Sequence, residues 1–350
     1  MGARAIPVAM AATATETRVT EVTGPGSPDF EALVGVWQAE DAERDPGDPV
    51  TPASEIAVEL FQTPPDLFHR SWLATQQGEP VGAAWIEQER DGTNDATLEL
   101  FVMTLAAHRR QGVGRALARV ALDALMAEGG MSVLGAARDE TGAAFCRALG
   151  LSHRQEERCS RLLIADLDDA QQRAWIDDGP THAPGYRLEG WVGVCPEDWA
   201  EPLARALDAM IDAPLDDIDW EVQPLTVERL LLRERFWAAK GGDIVTTLAL
   251  APDGEPAGAS QIIVFHDRPQ VAEQGDTGVV AAHRGHRLGR WLKAANLRRA
   301  RDHAPAIEAV QTYNAESNPH MLAINVEMGF RPYIAYGVWQ GPADAARASV

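Results

Sequence analysis

The sequence predicts an α/β protein, of the α+β mixed-sheet kind, built as two tandem domains with helices on both faces of each sheet. Three observations carry that expectation. At 350 residues the chain exceeds one ordinary core, so two domains of roughly 150–170 residues are expected. A stretch reading AAHRRQGVGR at residues 106–115 returns as AAHRGHRLGR at residues 281–290. The strand-like and helix-like segments around the two stretches follow the same order, which marks an internal duplication.

The elements can be justified in turn. Residues 1–17 carry one Arg and a weak, Thr-interrupted apolar run, and are expected to be a disordered tail. Residues 18–23 read as a strand, and Ser27 opens a helix through Gln38. The segment at 39–52 is acidic and broken by prolines, and is expected to be a loop; 53–62 is a second helix. Residues 68–75 and 80–89 alternate as strands around a QQGE turn. The strand 96–104 feeds the first repeated stretch and its helix, followed by strand 131–137, helix 142–150 and strand 159–165. The same order follows with strand 186–191, helix 196–210, acidic loop 211–224, helix 226–240, hairpin 243–266, strand 276–281, the second repeat and its helix, strand 306–314, helix 318–329 and strand 333–340. Domains are therefore expected at 18–167 and 185–342, joined by a polar, Pro/Gly-ended linker at 168–184 and closed by a tail at 343–350.

Composition narrows the function. No run of 18 apolar residues exists, so no transmembrane helix is expected. Cys146, Cys159 and Cys195 form no CxxC pair and no disulfide framework, which points to the cytoplasm and away from a metal site. A net charge of −21 argues against nucleic acid or an anionic membrane as partners. It suits a cationic ligand, and equally a solubilising surface.

The repeated stretch carries the chemistry. A strand, a Gly/Arg-rich turn and a helix start make an anion site, because N–H groups and the helix dipole point at a phosphate and glycines let it approach. In the first copy the N–H groups of Arg110, Gln111, Gly112, Val113, Gly114 and Arg115 are placed to wrap a pyrophosphate, with Arg109, Arg110 and Arg115 adding charge. The second copy reads Arg284, Gly285, His286, Arg287, Leu288, Gly289, so Arg287 stands where the first motif glycine should be. That change either weakens phosphate binding or supplies another phosphate partner.

The pattern Q/R-x-x-G-x-G/A between a strand and a helix, found twice with GAAFCRALGL and MLAINVEMGF downstream, resembles the GNAT superfamily of acyl-CoA N-acyltransferases. The likeness spans nearly the whole chain and is closest to tandem-domain members, among them mycothiol synthase and antibiotic acetyltransferases. It implies acetyl-CoA as co-substrate, with no metal, and direct attack of an amine on the thioester. It also implies that Val102, Met103 and Thr104 pair with the pantetheine arm, as Val279 would in the second domain, where Asn318 matches a coenzyme-contacting position.

Such a reaction needs a base, an oxyanion donor and an acid for the thiolate. Glu99, facing away from Leu98 and Leu100 by strand alternation, is the candidate base, unless it is a solvated strand carboxylate. The family's acid is a Tyr four residues before the last helix's Gly; here those positions hold Cys146 and Asn325. Cys146 is either an acid or a small packing residue. The resemblance places the acceptor beside the segment between the first two helices. Both copies of that segment are acidic: Glu40 and Asp41 in one, Asp216, Asp217 and Asp219 with Trp220 in the other. Carboxylates beside an aromatic suit a small-molecule cationic amine, such as an aminoglycoside or basic peptide antibiotic. Alternatives are mycothiol-synthase-like acetylation of a cysteinyl amine and a non-catalytic CoA-binding sensor or scaffold. A monomer or a homodimer is compatible with all three. The intact first loop assigns acetyl-CoA to the first domain and leaves the second as scaffold and acceptor wall.

Overall fold

The computed structural model describes residues 16–90 and 92–350. The expected tail at 1–17 therefore falls almost wholly outside the described residues, and Thr17 already belongs to a strand. The first half runs β1 (Thr17–Val22), α1 (Phe30–Arg44), α2 (Ala53–Phe61), β2 (Leu67–Gln76), β3 (Glu79–Glu89), β4 (Thr97–Thr104), α3 (Val113–Ala127), β5 (Ser132–Ala137), α4 (Glu140–Ala148) and β6 (Ser152–Leu163). After α5 (Asp169–Asp177) and α6 (Gly179–His182), the order repeats as β7 (Arg187–Val192), α7 (Glu197–Leu207), α8 (Val227–Ala239), β8 (Gly242–Leu250), β9 (Pro256–Phe265), β10 (Val271–Val279), α9 (Leu288–His303), β11 (Ala309–Ala315), α10 (Pro319–Met328) and β12 (Arg331–Pro342). A short α11 (Ala343–Ala348) follows. The expected element order holds in both halves.

Four local expectations need correction. The acidic stretch after Gln38 is not all loop: α1 continues to Arg44, because AEDAER are tolerable helix residues and Glu40 pairs with Arg44 one turn on at 2.9 Å. The helix stops only where Asp-Pro-Gly begins. The linker at 168–184 is a capped helix pair: Asp168 accepts from the N–H groups of Ala170 and Gln171, and Gln172 donates to the Ala294 carbonyl on α9. The tail at 343–350 is likewise ordered, with Ala343 and Ala346 buried in the first domain's core against α3. Finally, β6 starts at Ser152, well before residue 159, since a central strand needs paired backbone more than apolar side chains.

The twelve strands make one sheet, in the order β1-β2-β3-β4-β5-β12-β6-β11-β10-β9-β8-β7. The halves have exchanged their last strands. β12 lies between β5 and β6, while β6 pairs with β11. Alternation along β4 sends Leu98 and Leu100 to the core under α3, and Phe101 and Met103 to the core under α1 and α2. The parallel pairs start together and then part. β4 and β5 pair only over residues 97–99 and 132–134, and β10 and β11 only over 271–273 and 309–311. Beyond those points each pair opens into a wedge.

Candidate active site

Each wedge holds a cavity. The first, of about 1420 Å³, is bounded by β4 from Leu100 to Thr104 and by the loop residues Arg109, Arg110, Gly112, Gly114 and Arg115. Its other side carries Trp37, Glu40 and Glu43 from α1 and Tyr333 and Tyr336 from the exchanged β12. The second, of about 980 Å³, is bounded by β10, by Arg284, Gly285, Arg287, Leu288 and Gly289, and by Lys293 and Asn318.

The two loops have one backbone. Arg109 Nε donates to the Thr104 carbonyl at 3.0 Å, and Arg284 Nε to the Val279 carbonyl at 3.2 Å. Both arginines thus brace the strand end to the loop. In the first loop Arg110 (φ 64°) and Gly112 (φ 88°) are left-handed; in the second the left-handed pair is Gly285 (φ 90°) and Arg287 (φ 56°). The glycine has simply changed places. A Cβ at Gly112 would meet no atom of the protein within 4 Å, so Arg287 is no obstruction to the turn. The second loop therefore keeps the backbone of the first despite Arg287. Gly114 is tighter: a Cβ there would sit 3.6 Å from the Phe145 ring of α4. The Val113 and Leu288 side chains are buried, so these residues can offer a ligand only main chain. Gln111 turns back to the Ala107 carbonyl, and His286 lies against Tyr186. Asn318 caps α10, accepting from the Met321 N–H.

This arrangement has counterparts. Residues 36–151 match the model of the acetyltransferase (GNAT) family. The chain resembles a tandem GNAT protein from the clavulanic acid biosynthesis pathway, with a TM-score of 0.77 and 25% identity over 94% of this chain and 99% of that one. Residues 36–151 thus form a GNAT domain, and the chain as a whole is similar in fold to tandem GNAT proteins. A GCN5-related N-acetyltransferase from Sphaerobacter thermophilus shares the fold at a TM-score of 0.67, with 13% identity over 93% of this chain and 96% of that one. No curated protein sequence matches the chain. The GNAT domain sets the chemistry as acyl-CoA-dependent N-acyl transfer. Among the described residues no helix is long and apolar enough to cross a membrane, and no cluster of His, Cys, Asp or Glu could hold a metal ion.

The GNAT reading gives each candidate residue a place to be tested. Glu99 stands directly opposite Glu87 across β3–β4, on the face away from Leu98 and Leu100. Burial, and after it the carboxylates of Glu87, Glu89 and Glu157, push its pKa up to about 7. It lies two residues short of Phe101, which lines the cavity. Its counterpart in strand register, Glu273, is instead paired with Arg268 at 3.1 Å. Cys146 stands apart from the cavity. Its thiol is packed in the first core, off the cavity wall, and burial pushes it up to about 11. Asn325 donates to Asn314 Oδ1 at 2.7 Å.

The acceptor candidates separate. Glu40 lines the first cavity, and burial raises its carboxyl above the usual range. Asp41 is a structural residue, accepting from the Thr51 N–H at 2.9 Å and from Arg44 at 2.6 Å. Asp216, Asp217, Asp219 and Trp220 border neither cavity. Their segment docks elsewhere: the Asp219 N–H donates to Gln340 Oε1 on the exchanged β12 at 2.8 Å, and the Glu221 N–H to Asn94 Oδ1 of the first half at 3.0 Å. Sequence reasoning missed an aromatic stack beside Glu40, in which Trp37 lies 4.6 Å from Trp85 and Trp85 lies 4.8 Å from Phe101. Strand alternation places Trp85 and Phe101 on the Glu99 face and could have found them. It could not have found Tyr333 and Tyr336, which arrive by strand exchange.

Proposed function

We propose that the first domain transfers acetyl from acetyl-CoA to a primary amine of a cationic small molecule, such as an aminoglycoside or basic peptide antibiotic. The observation that carries this reading is the continuity of the first cavity. It runs from the α3 loop to a wall where Glu40 and Glu43 stand beside Trp37 and Trp85. N–H groups at the α3 start suit the phosphates, and the strand edge at residues 102–104, released from β5, suits the pantetheine amides. Carboxylates with stacked aromatics suit an ammonium-bearing acceptor. The amine attacks the thioester carbonyl, and collapse of the tetrahedral intermediate expels the thiolate. The proton shed by the ammonium passes through water to Glu99, whose pKa near 7 fits a base at neutral pH. The name of the similar protein, from a clavulanic acid pathway, supports a small-molecule acceptor over a protein.

Release of free CoA thiol, measured across a panel of amines, tests this. Turnover with polyamine antibiotics is expected. Saturable acetyl-CoA binding without turnover on any amine would instead make the chain a CoA-binding sensor.

A further inference from the structure

The second wedge contains a side chain that the proposed reaction does not use. Lys293, on the second turn of α9, is 1% exposed and lines the second cavity. No carboxylate or hydrogen-bond acceptor among the described residues partners it, and its Nζ lies over the Phe330 ring, 5.4 Å from the centroid. Burial lowers its pKa to about 7, so much of it is a free amine at neutral pH.

Two comparisons show that this is not ordinary packing. Lys240 and Lys293 are the only lysines among the chain's 31 basic side chains. Lys240, by contrast, pairs with Glu59 and lies over the Trp237 ring at 4.6 Å. Arginine, which supplies all the other positive charge, cannot lose its proton, so a buried basic site without a counter-ion accepts lysine and not arginine. The other comparison is with the first wedge. There the loop alignment puts Ala118 in place of Lys293, and strand register puts Gly135 and Ala137 in place of Thr312 and Asn314. The first wedge is apolar where the second carries an amine, a hydroxyl and an amide.

We propose that Lys293 is an internal acyl acceptor: an acyl-CoA seated in the second wedge transfers its acyl group to the Lys293 amine. The two loops have the same backbone, so the phosphates have a site at the start of α9. Lys293 lies five residues further on, roughly 7–8 Å down the helix, beside the path of the pantetheine arm. Nζ attacks the thioester carbonyl, a C–N bond forms, the C–S bond breaks, and the amine's proton leaves with the thiolate as CoA thiol. The product is N-acyl-lysine, a neutral amide that relieves the cost of a buried amine. The inference rests on acyl-CoA chemistry in this fold and not on the acceptor proposed for the first domain.

The test incubates the full chain with acetyl-CoA and reads intact mass, then maps the modified peptide. One acetyl group on Lys293 is expected, with Lys240 unmodified as an internal control. Lys293→Met, which keeps the volume and removes the charge, should fold and gain no acetyl on its α9 peptide. A short acetyl thioester lacking the nucleotide should react at least about tenfold more slowly, because it forgoes the phosphate site. Glu99→Gln should leave acetylation of Lys293 unchanged while lowering turnover of diffusible amines by about 10²–10⁴-fold, which separates failure here from failure of the first-domain reading. An unmodified Lys293 after prolonged exposure to saturating acetyl-CoA, or equal labelling of Lys240, overturns the proposal.

Discussion

The two wedges share a strand split, a loop backbone and a helix start, yet their reactive groups lie on opposite sides of the sheet. In the first, Glu99 sits among Glu87, Glu89 and Glu157, whose charges add to burial and push it up to about 7. In the second, the equivalent Glu273 is clamped by Arg268, which also binds Glu55 of α2 at 2.7 Å. One copy leaves the carboxylate among other carboxylates, and the other pairs it with an arginine. On the opposite face the pattern inverts: Ala118 in the first, Lys293 in the second. The two copies share the loop backbone and differ in the ionisable side chains around it.

The comparison breaks most severely if the halves are separated. β6 pairs with β12 and β11, both from the second half, while β5 loses β12 as its neighbour. Residues 18–167 produced alone should therefore show no cooperative unfolding by circular dichroism and no turnover. Co-production with residues 168–350 should restore both. A folded, active first half would show that strand exchange is dispensable.

Replacing Glu99 by Gln comes next. Loss of a general base should lower kcat by about 10²–10⁴-fold. In the parent, kcat/KM should rise as pH increases through about 7, where Glu99 loses its proton, and the variant should lack that rise. Stability moves oppositely. A carboxyl whose folded pKa is raised holds its proton more tightly when folded, so stability is full below the ordinary carboxylate range and declines as pH rises to about 7. The variant should therefore melt a few degrees higher than the parent at alkaline pH, and this difference should vanish in acid. A pH-independent difference would remove Glu99 from the proton path.

Smaller effects should separate the two acidic segments. Glu40→Gln with Glu43→Gln should raise acceptor KM by roughly tenfold, the scale of a lost charge-assisted contact, with acetyl-CoA KM unchanged. Neutralising Asp216, Asp217 and Asp219 should leave both unchanged, since that segment docks on Gln340 and Asn94 away from the cavity. A reversed result would put the acceptor on the other acidic segment.

The sequence made some of this legible and not the rest, for physical reasons. Strand period and the repeated loop exposed the element order, the cradle and Glu99, because each is local. Strand exchange is not local: SHRQEER in β6 is polar and mostly exposed or half-buried, and the strands that pair with it come from the other half. The α1 extension was hidden by the acidic composition of residues 39–44, although Glu40 and Arg44 are one turn apart. Cys146 shows the converse limit. Whether its thiol faces a cavity or a core depends on packing that no motif records.

The smallest predicted effect bears on the loops themselves. Arg287 replaces a motif glycine, yet it takes the same left-handed turn as Gly112. A non-glycine residue there costs about 1 kcal/mol in backbone strain and nothing in contacts, since the Cβ direction at Gly112 is open. Gly112→Arg should thus lower stability by about 1 kcal/mol and change acetyl-CoA KM by less than tenfold, its new side chain joining that of Arg110 on left-handed backbone. Arg287→Gly should gain less than about 1 kcal/mol, because relief of strain is offset by the freer unfolded chain. If Gly112→Arg instead abolished acetyl-CoA binding, the open space beside Gly112 would belong to the phosphates, and the two cradles would differ after all.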